Sequence, residues 1–404
     1  MPAAAPRQKR SPAANQRNAM LAGFLGWTLD AFDFFVLVFV LGPLAHDFHR
    51  SIPAIALTIT ASLATRPIGA LLFGLLADRF GRRKLLIANV LFYSCIEVLS
   101  GLAPSYTAFL LLRLLYGVGM GGEWGVGASL ALESVPARLR GLLSGLLQEG
   151  YAVGYILAAF AYALIFPVWG WRALFLLGGL PGLLSLFILF KVEEPEAWHQ
   201  ARTDWGTYKR AIYDNRKLFG YLVVLMAMMN LISHGTQDMY PTFLRLQRHY
   251  SVHATSAITV VSMLGAIAGG LLVGWASDRY GRRRCMIWAV LLAVLMIPLW
   301  VLGSSASLIV LGAVGMQFMV QGAWGVIPAH LNELSPPALR GFFPGFAYQL
   351  GVLVASSVGY VEAVMAQHMS YAASMGLLAL AVLLLGAVAI AVGPEARGIE
   401  FVVK

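Results

Sequence analysis

The sequence predicts an all-α membrane protein: twelve transmembrane helices in two six-helix, pseudo-symmetric halves. Three observations carry that reading. Of 404 residues, 59% are hydrophobic and only 12% charged, against about 25% charged in a typical soluble domain. Apolar runs of about 20 residues, the length a helix needs to cross a bilayer, recur near 20–45, 54–77, 85–103, 106–130, 142–166, 172–190, 218–246, 252–276, 285–302, 305–329, 342–366 and 370–393. Charged motifs repeat 200 positions apart: Gly74-Leu-Leu-Ala-Asp-Arg-Phe-Gly-Arg-Arg-Lys84 answers Gly274-Trp-Ala-Ser-Asp-Arg-Tyr-Gly-Arg-Arg-Arg284. Glu133 to Gly141 answers Glu333 to Gly341, with Arg140 and Arg340 matched. The runs are too long for barrel strands, and in lipid each must satisfy its own backbone, which makes them helices. Two repeats in one register mean two homologous halves.

The net charge of +10 raises the question of a nucleic-acid partner, and the placement of the charge answers it. With the N-terminus inside, 23 of the 29 Lys and Arg fall in segments on the cytoplasmic side; Arg50, Arg172, Arg245 and Arg248 lie outside, and Arg66 and Arg113 lie within spans. The positive-inside rule accounts for this. The expectation is a multi-pass protein of the cell (inner or plasma) membrane, both termini cytoplasmic, with the lipid bilayer and no nucleic acid as partner. The segments expected are a tail (1–19), a first half (20–190), a linker (191–217), a second half (218–393) and a tail (394–404). The first apolar run is too long for a signal-peptide core. Cys95 and Cys285 read as small apolar core residues, no metal-ligand cluster is present, and no cofactor is expected. The chain holds no G-x-S-x-G, H-E-x-x-H, cysteine-histidine set or phosphate loop, which argues against an enzyme.

The first span carries Asp30 and Asp33, which share a helix face to within about 60°. Two carboxylates so close can share a proton, so the pair is a candidate proton carrier. A structural pairing with Arg113 or Arg66 is the alternative. In the second span Arg66 stands twelve residues before Asp78, about 18 Å along a helix, near mid-bilayer. A guanidinium there is costly, and a carboxylate ligand offsets the cost through a bidentate pair. Arg66 is the first choice for an anion anchor; lasting pairing with Asp30 or Asp33 is its rival. At the repeated loops Gly81 and Gly281 permit tight turns. Asp78 and Asp278 can be held by nearby arginines and by a neighbouring helix N-terminus, contacts available only when these ends of the helices approach each other.

In the fourth span Arg113 precedes Tyr116-Gly-Val-Gly-Met-Gly-Gly-Glu-Trp-Gly125. Its glycines allow close helix packing, and Glu123 is an intramembrane carboxyl in need of a partner. Tyr151 in the fifth span and Gln349 in the eleventh are candidates to hydrogen-bond a hydroxyl or keto oxygen, or else interhelical contacts. Trp169, Trp171 and Trp198 read as interfacial anchors. The linker should contain a surface helix. The seventh span then opens the second half with Asn230-Leu-Ile-Ser-His-Gly-Thr-Gln-Asp-Met-Tyr-Pro-Thr242. At about 100° per residue Asn230, Ser233, His234, Gln237, Asp238 and Thr242 form a polar stripe, and His234 and Asp238, four apart, can touch. Such groups mark a substrate or proton path; the plainer reading is glue between helices.

The loop G-x-x-x-D-R-x-G-R-R-[KR] resembles the signature of the major facilitator superfamily, here present in both halves. The stripe N-x-x-S-H-x-T-Q-D-x-x-x-T resembles that of Jen-type lactate/pyruvate:proton symporters, of the sialate:proton symporter branch, and Met120 to Glu123 is similar to that branch's G-M-x-x-G-E. The resemblance implies the major facilitator fold, with substrate at the midplane between halves, a usually monomeric carrier, and a gate that latches the outward-facing state through Asp78, Arg82, Arg140, Asp278, Arg282 and Arg340.

The function expected is proton-coupled import of small monocarboxylates, L-lactate and pyruvate first, with sialic acid or another organic anion as the alternative. These acids are anions at neutral pH, so accumulating them against an inside-negative potential requires a co-moving cation. Arg66, Tyr151, Asn230, His234, Gln237 and Gln349 are the expected substrate contacts. Asp30, Asp33, Glu123, His234 and Asp238 are the expected proton set.

Overall fold

In the computed structural model, residues 12–401 are described, apart from 51, 134, 197, 199–204 and 357. The first half comprises α1 (Pro12–Phe39), α2 (Ile52–Phe80), α3 (Arg82–Gly101), α4 (Tyr106–Glu133) and then α5, which runs through Arg140–Gln148 into Gly150–Leu177 as far as a break at Gly170 (φ 70°). Beyond the break the chain continues as α6, completed by Pro181–Lys191. The second half repeats the plan. Its α7 (Arg216–Gln237, extended by Tyr240–Leu246), α8 (Val252–Tyr280), α9 (Arg282–Leu302) and α10 (Ala306–Leu334) are followed by α11 (Phe343–Ala355 and Val358–Met365) and α12 (Tyr371–Val392). The twelve spans and the two halves are those the sequence predicts. Large side chains on the outer surface, such as Leu164 at 72% and Val392 at 78% exposure, suit a lipid boundary.

Local chemistry places the ends. Gly81 and Gly281 adopt φ of 115° and 105°, a region that favours glycine, so α2 turns directly into α3 and α8 into α9. Ser251, Ser305 and Ser370 cap α8, α10 and α12, each accepting from a backbone N–H three residues on, as helix N-termini require. A Cβ at Gly121 of α4 would run into the Arg66 backbone of α2. The missing side chain therefore lets these two helices meet and sets the depth of Arg66.

Several details differ from expectation. The first helix begins at Pro12, not near residue 20. Its polar start docks on the end of α6, with Asn18 donating to the Lys191 carbonyl (2.7 Å) and Asn15 accepting from the Glu193 N–H (2.7 Å). The seventh span breaks after Gln237, just before Pro241, and the eleventh after Ala355. Trp171 and Trp198 are buried, not interfacial: Trp171 donates to Asp47 (3.2 Å) and Trp198 to the Asp78 carbonyl (2.8 Å). Cys285 is buried as expected, whereas Cys95 is exposed. The linker does contain a helix, Trp205–Asp214.

Candidate functional site

At the end of the molecule that carries the repeated basic loops the two halves are locked together. Asp78 accepts from the Gly341 N–H (2.7 Å) and from Tyr208 (3.1 Å) and pairs with Arg82 (2.8 Å). Asp278, at the matched position, accepts from the N–H groups of Gly141 (2.7 Å) and Leu142 (3.0 Å) at the start of α5 and pairs with Arg282 (2.8 Å). Each aspartate of one half thus binds backbone of the other. Glu133 holds Arg82 (3.1 Å), while Glu333 holds both Arg282 and Arg140 (2.9 Å each). Arg340 lies over the Phe401 ring.

Beyond this seal a cavity of about 260 Å³ lies between the halves. Asp30 and Trp27 of α1, Arg66 of α2, Tyr151 of α5, His234 and Asp238 of α7 and Tyr348 of α11 line it. Trp27 stacks on Tyr151 (5.8 Å) and Trp124 on Tyr348 (4.6 Å), so aromatic rings frame the charged groups. A second chamber of about 290 Å³ adjoins the first and shares Tyr151 and Asp238 with it.

Arg66 is 7% exposed, with Nη2 3.9 Å from Asp30 Oδ2 and 3.1 Å from Met120 Sδ. The Asp30 approach is an ion pair without hydrogen-bond length, since N–H···O bonds fall near 2.7–3.2 Å. Of five guanidinium donors, none has an oxygen partner at that length among the described residues. His234 Nδ1 lies 3.1 Å from Asp238 Oδ2. With the carboxylate ionised it can only accept, so that Nδ1 is the donor and Nε2 the ring atom left to take a proton.

The remaining candidates sit as follows. Asp33 and Glu123 are buried, with no hydrogen-bond partner for any carboxylate oxygen among the described residues, and neither lines the cavity. Arg113 does not hold Asp33; it pairs with Glu97 (2.6 Å). Asn230 turns its amide to the Met226 carbonyl of its own helix (2.8 Å) and stays outside the cavity. Gln237 lines the second chamber and donates to Gln317 (2.7 Å). Gln349 is buried off the cavity, and its neighbour Tyr348 faces it instead. The side chain of Thr242 lies outside the described residues. Sequence reasoning missed Trp27, Glu97 and Gln317. Glu97 left a signal, as a lone carboxyl in the apolar run 85–103; the other two did not.

Residues 23–258 match the Major Facilitator Superfamily, and residues 211–395 match the sugar (and other) transporter family. The chain belongs to the Major Facilitator Superfamily. Among curated relatives, the carboxylic acid transporter protein homolog of Saccharomyces cerevisiae is 30% identical over 379 residues, covering 87% of this chain and 61% of that protein. The sialic acid transporter NanX of Escherichia coli is 28% identical, covering 83% of this chain and 84% of that protein. In structure the facilitator resembles the proton:xylose symporter XylE, with a TM-score of 0.78 at 19% identity over 96% of this chain and 98% of that one, a likeness of fold. As a member of the superfamily it is a multi-pass membrane protein, and the first cavity is lined by residues of both its halves.

Proposed function

We propose that the protein is a proton-coupled symporter that imports small monocarboxylates, L-lactate and pyruvate first, by alternating access. The observation that carries this reading is the Arg66 guanidinium, short of oxygen acceptors, in one cavity with the hydrogen-bonded His234–Asp238 pair. A carboxylate bound to Arg66 supplies the acceptors that Asp30, at 3.9 Å, does not, and charge-assisted bonds of this kind are among the stronger ones. The cavity is small, at about 260 Å³, just under the roughly 300–1,000 Å³ of drug-sized ligand sites. The relative named for carboxylic acid transport supports the class of cargo.

In this mechanism His234 Nε2 takes a proton, and Asp238, 3.1 Å from Nδ1, stabilises the imidazolium. The centre becomes less negative and Arg66 accepts the substrate carboxylate. Tyr151 hydrogen-bonds the 2-hydroxyl or keto oxygen. Asp33 and Glu123, buried with no hydrogen-bond partner among the described residues, belong to the proton set. The seal at the basic loops, through Asp78, Arg82, Arg140, Asp278, Arg282 and Arg340, holds the outward-facing state with its cytoplasmic end shut. Only the empty, deprotonated carrier or the loaded one releases it, as a monomer in the cell membrane. The test is uptake of labelled L-lactate into proteoliposomes under an imposed pH difference, with pyruvate, sialate and succinate as competitors. Uptake indifferent to the gradient in otherwise active vesicles would refute symport.

A further inference from the structure

The face of α5 that meets the second half recurs every fourth residue, at Gly141, Gly145 and Glu149. A Cβ at Gly141 would run into the Gly274 carbonyl of α8, and one at Gly145 into the Gly270 backbone. One turn further on, the Glu149 carboxyl lies over Gly270 itself, where a Cβ would collide with Oε1. Glu149 is 4% exposed, and its Oε1 is buried with no hydrogen-bond partner among the described residues. It stands nine residues beyond Arg140 of the seal, about 13 Å along a helix, and two residues before Tyr151 of the cavity. The carboxyl is therefore shut into the seam between the halves, between the cavity and the seal.

The internal repeat supplies a comparison. At the matched seam α11 presents Gly341, Gly345 and Gln349. Gly341 packs on Gly74 of α2 and Gly345 on Gly125 of α4, and Gln349 is buried with its Oε1 likewise unpartnered among the described residues. The two side chains have nearly the same shape, and only one of them can ionise. Neutral, Glu149 suits its seam as Gln349 suits the other; ionised, it is a buried charge without a counter-ion, a far costlier group to hold. The titratable groups on the elements packed around it supply none. Asp278 of α8 is held by the Gly141 and Leu142 N–H groups and Arg282, Glu333 of α10 by Arg140 and Arg282, and Asp30 of α1 pairs with Arg66. Asp33 of α1 and Glu123 of α4 are carboxyls themselves. His330 of α10 is buried with neither ring nitrogen hydrogen-bonded among the described residues; an imidazole that gained water on opening would favour the open seam in acid, the opposite sign to a carboxyl.

We propose that Glu149 is a proton-operated wedge: it is protonated while the seam is shut and releases that proton to the cytoplasm when α5 and α8 part and water reaches it. Cytoplasmic pH then sets how readily the carrier recloses to its outward-facing state. The proton returns from the side to which it left, so Glu149 adds to the carrier's pH response and not to its proton stoichiometry. The inference rests on the alternating access proposed above and on no choice of cargo. Because the shut seam binds one proton more than the open one, the shut-to-open ratio falls as pH rises, by at most about tenfold per unit, and levels off once Glu149 is ionised in both states.

Spin labels on Arg138→Cys and Arg284→Cys, exposed positions of the two halves at the sealed end, read the separation in the full-length protein with Cys95 and Cys285 replaced by Ala. Without substrate, between about pH 6 and about pH 9, the shut-to-open ratio should fall at least about tenfold in this parent and less than about threefold in Glu149→Gln. Gln349→Glu, which gives the matched seam a carboxyl of its own, should steepen the fall, and it tests the idea even where Glu149→Gln fails to fold. A parent ratio that does not fall, a fall of the same size in Glu149→Gln, or one no steeper in Gln349→Glu would each overturn the proposal. Lactate uptake into proteoliposomes is scored separately. A pH-dependent seam without lactate uptake would sink the monocarboxylate reading alone, and gradient-driven lactate uptake with a pH-indifferent seam would sink this one alone.

Discussion

Arg140 of the first half and Arg340 of the second share one aromatic ring: their guanidinium carbons lie 3.6 and 3.9 Å from the centroid of Phe401. The two arginines hold matched positions of the internal repeat, so the C-terminal segment closes on the seam between the halves. Arg140 also donates to the Ile399 carbonyl (2.8 Å). Buried cation–π contacts contribute about 0.5–2 kcal/mol each. Phe401→Ala should weaken the seal by about 1–2 kcal/mol, a factor of roughly 5–30 in the closed-to-open ratio. In a background with Cys95 and Cys285 replaced by Ala, a cysteine at Ser144, buried at this seam, should be alkylated several-fold faster once Phe401 is gone. An unchanged rate would remove Phe401 from the latch.

Arg66→Lys tests the anchor more sharply than Arg66→Ala, because lysine keeps the charge and loses the planar fork. Hydrogen bonds to charged groups contribute about 1.5–3 kcal/mol, so lactate affinity should fall about ten- to hundredfold in the lysine variant. Its thermal stability should change little by comparison, since Asp30 is only loosely engaged at 3.9 Å. Lactate titration of both proteins reads the affinity, and wild-type affinity in Arg66→Lys would show that the carboxylate binds elsewhere.

His234→Gln separates binding from coupling. Glutamine can still donate to Asp238, now 3.1 Å from the imidazole, but takes no proton near neutral pH. The variant should keep lactate exchange between equal internal and external pools while losing most of the stimulation that an imposed pH difference gives the wild type. Full stimulation would move the proton to Asp30, Asp33 or Glu123.

What the chain shows by itself is what depends on spacing along one helix. The helical character of the apolar runs and the His234–Asp238 contact are local quantities of this kind, and the structure agrees with both. What it hides depends on how a helix is rotated against its neighbours. One residue is about 100° of turn, which is why Tyr348 and not Gln349 faces the cavity. Asn230 belongs to the polar stripe by spacing yet spends its amide within its own helix. Contacts between remote segments were hidden too, such as Trp198 and Tyr208 on Asp78 and Phe401 on two arginines, because no periodicity links a linker or a tail to a loop far away.

Glu194, just beyond α6, accepts from the backbone N–H of Arg82 and of Arg83 (3.2 Å) at the start of α3. Burial pushes its pKa up from the ordinary 4.5 to about 7, against the opposing pull of the Arg82 N–H and guanidinium. Between those two values the folded protein binds more proton at this site than the unfolded chain, so stability falls as pH rises from about 4.5 to 7 and levels off above. Glutamine keeps an oxygen for the two N–H groups and never ionises. Glu194→Gln should therefore unfold at a temperature less dependent on pH across that window, and should gain most relative to wild type at the alkaline end. Parallel thermal-unfolding profiles for the two proteins from pH 4.5 to 7.5 would show that Glu194 titrates as an ordinary carboxylate.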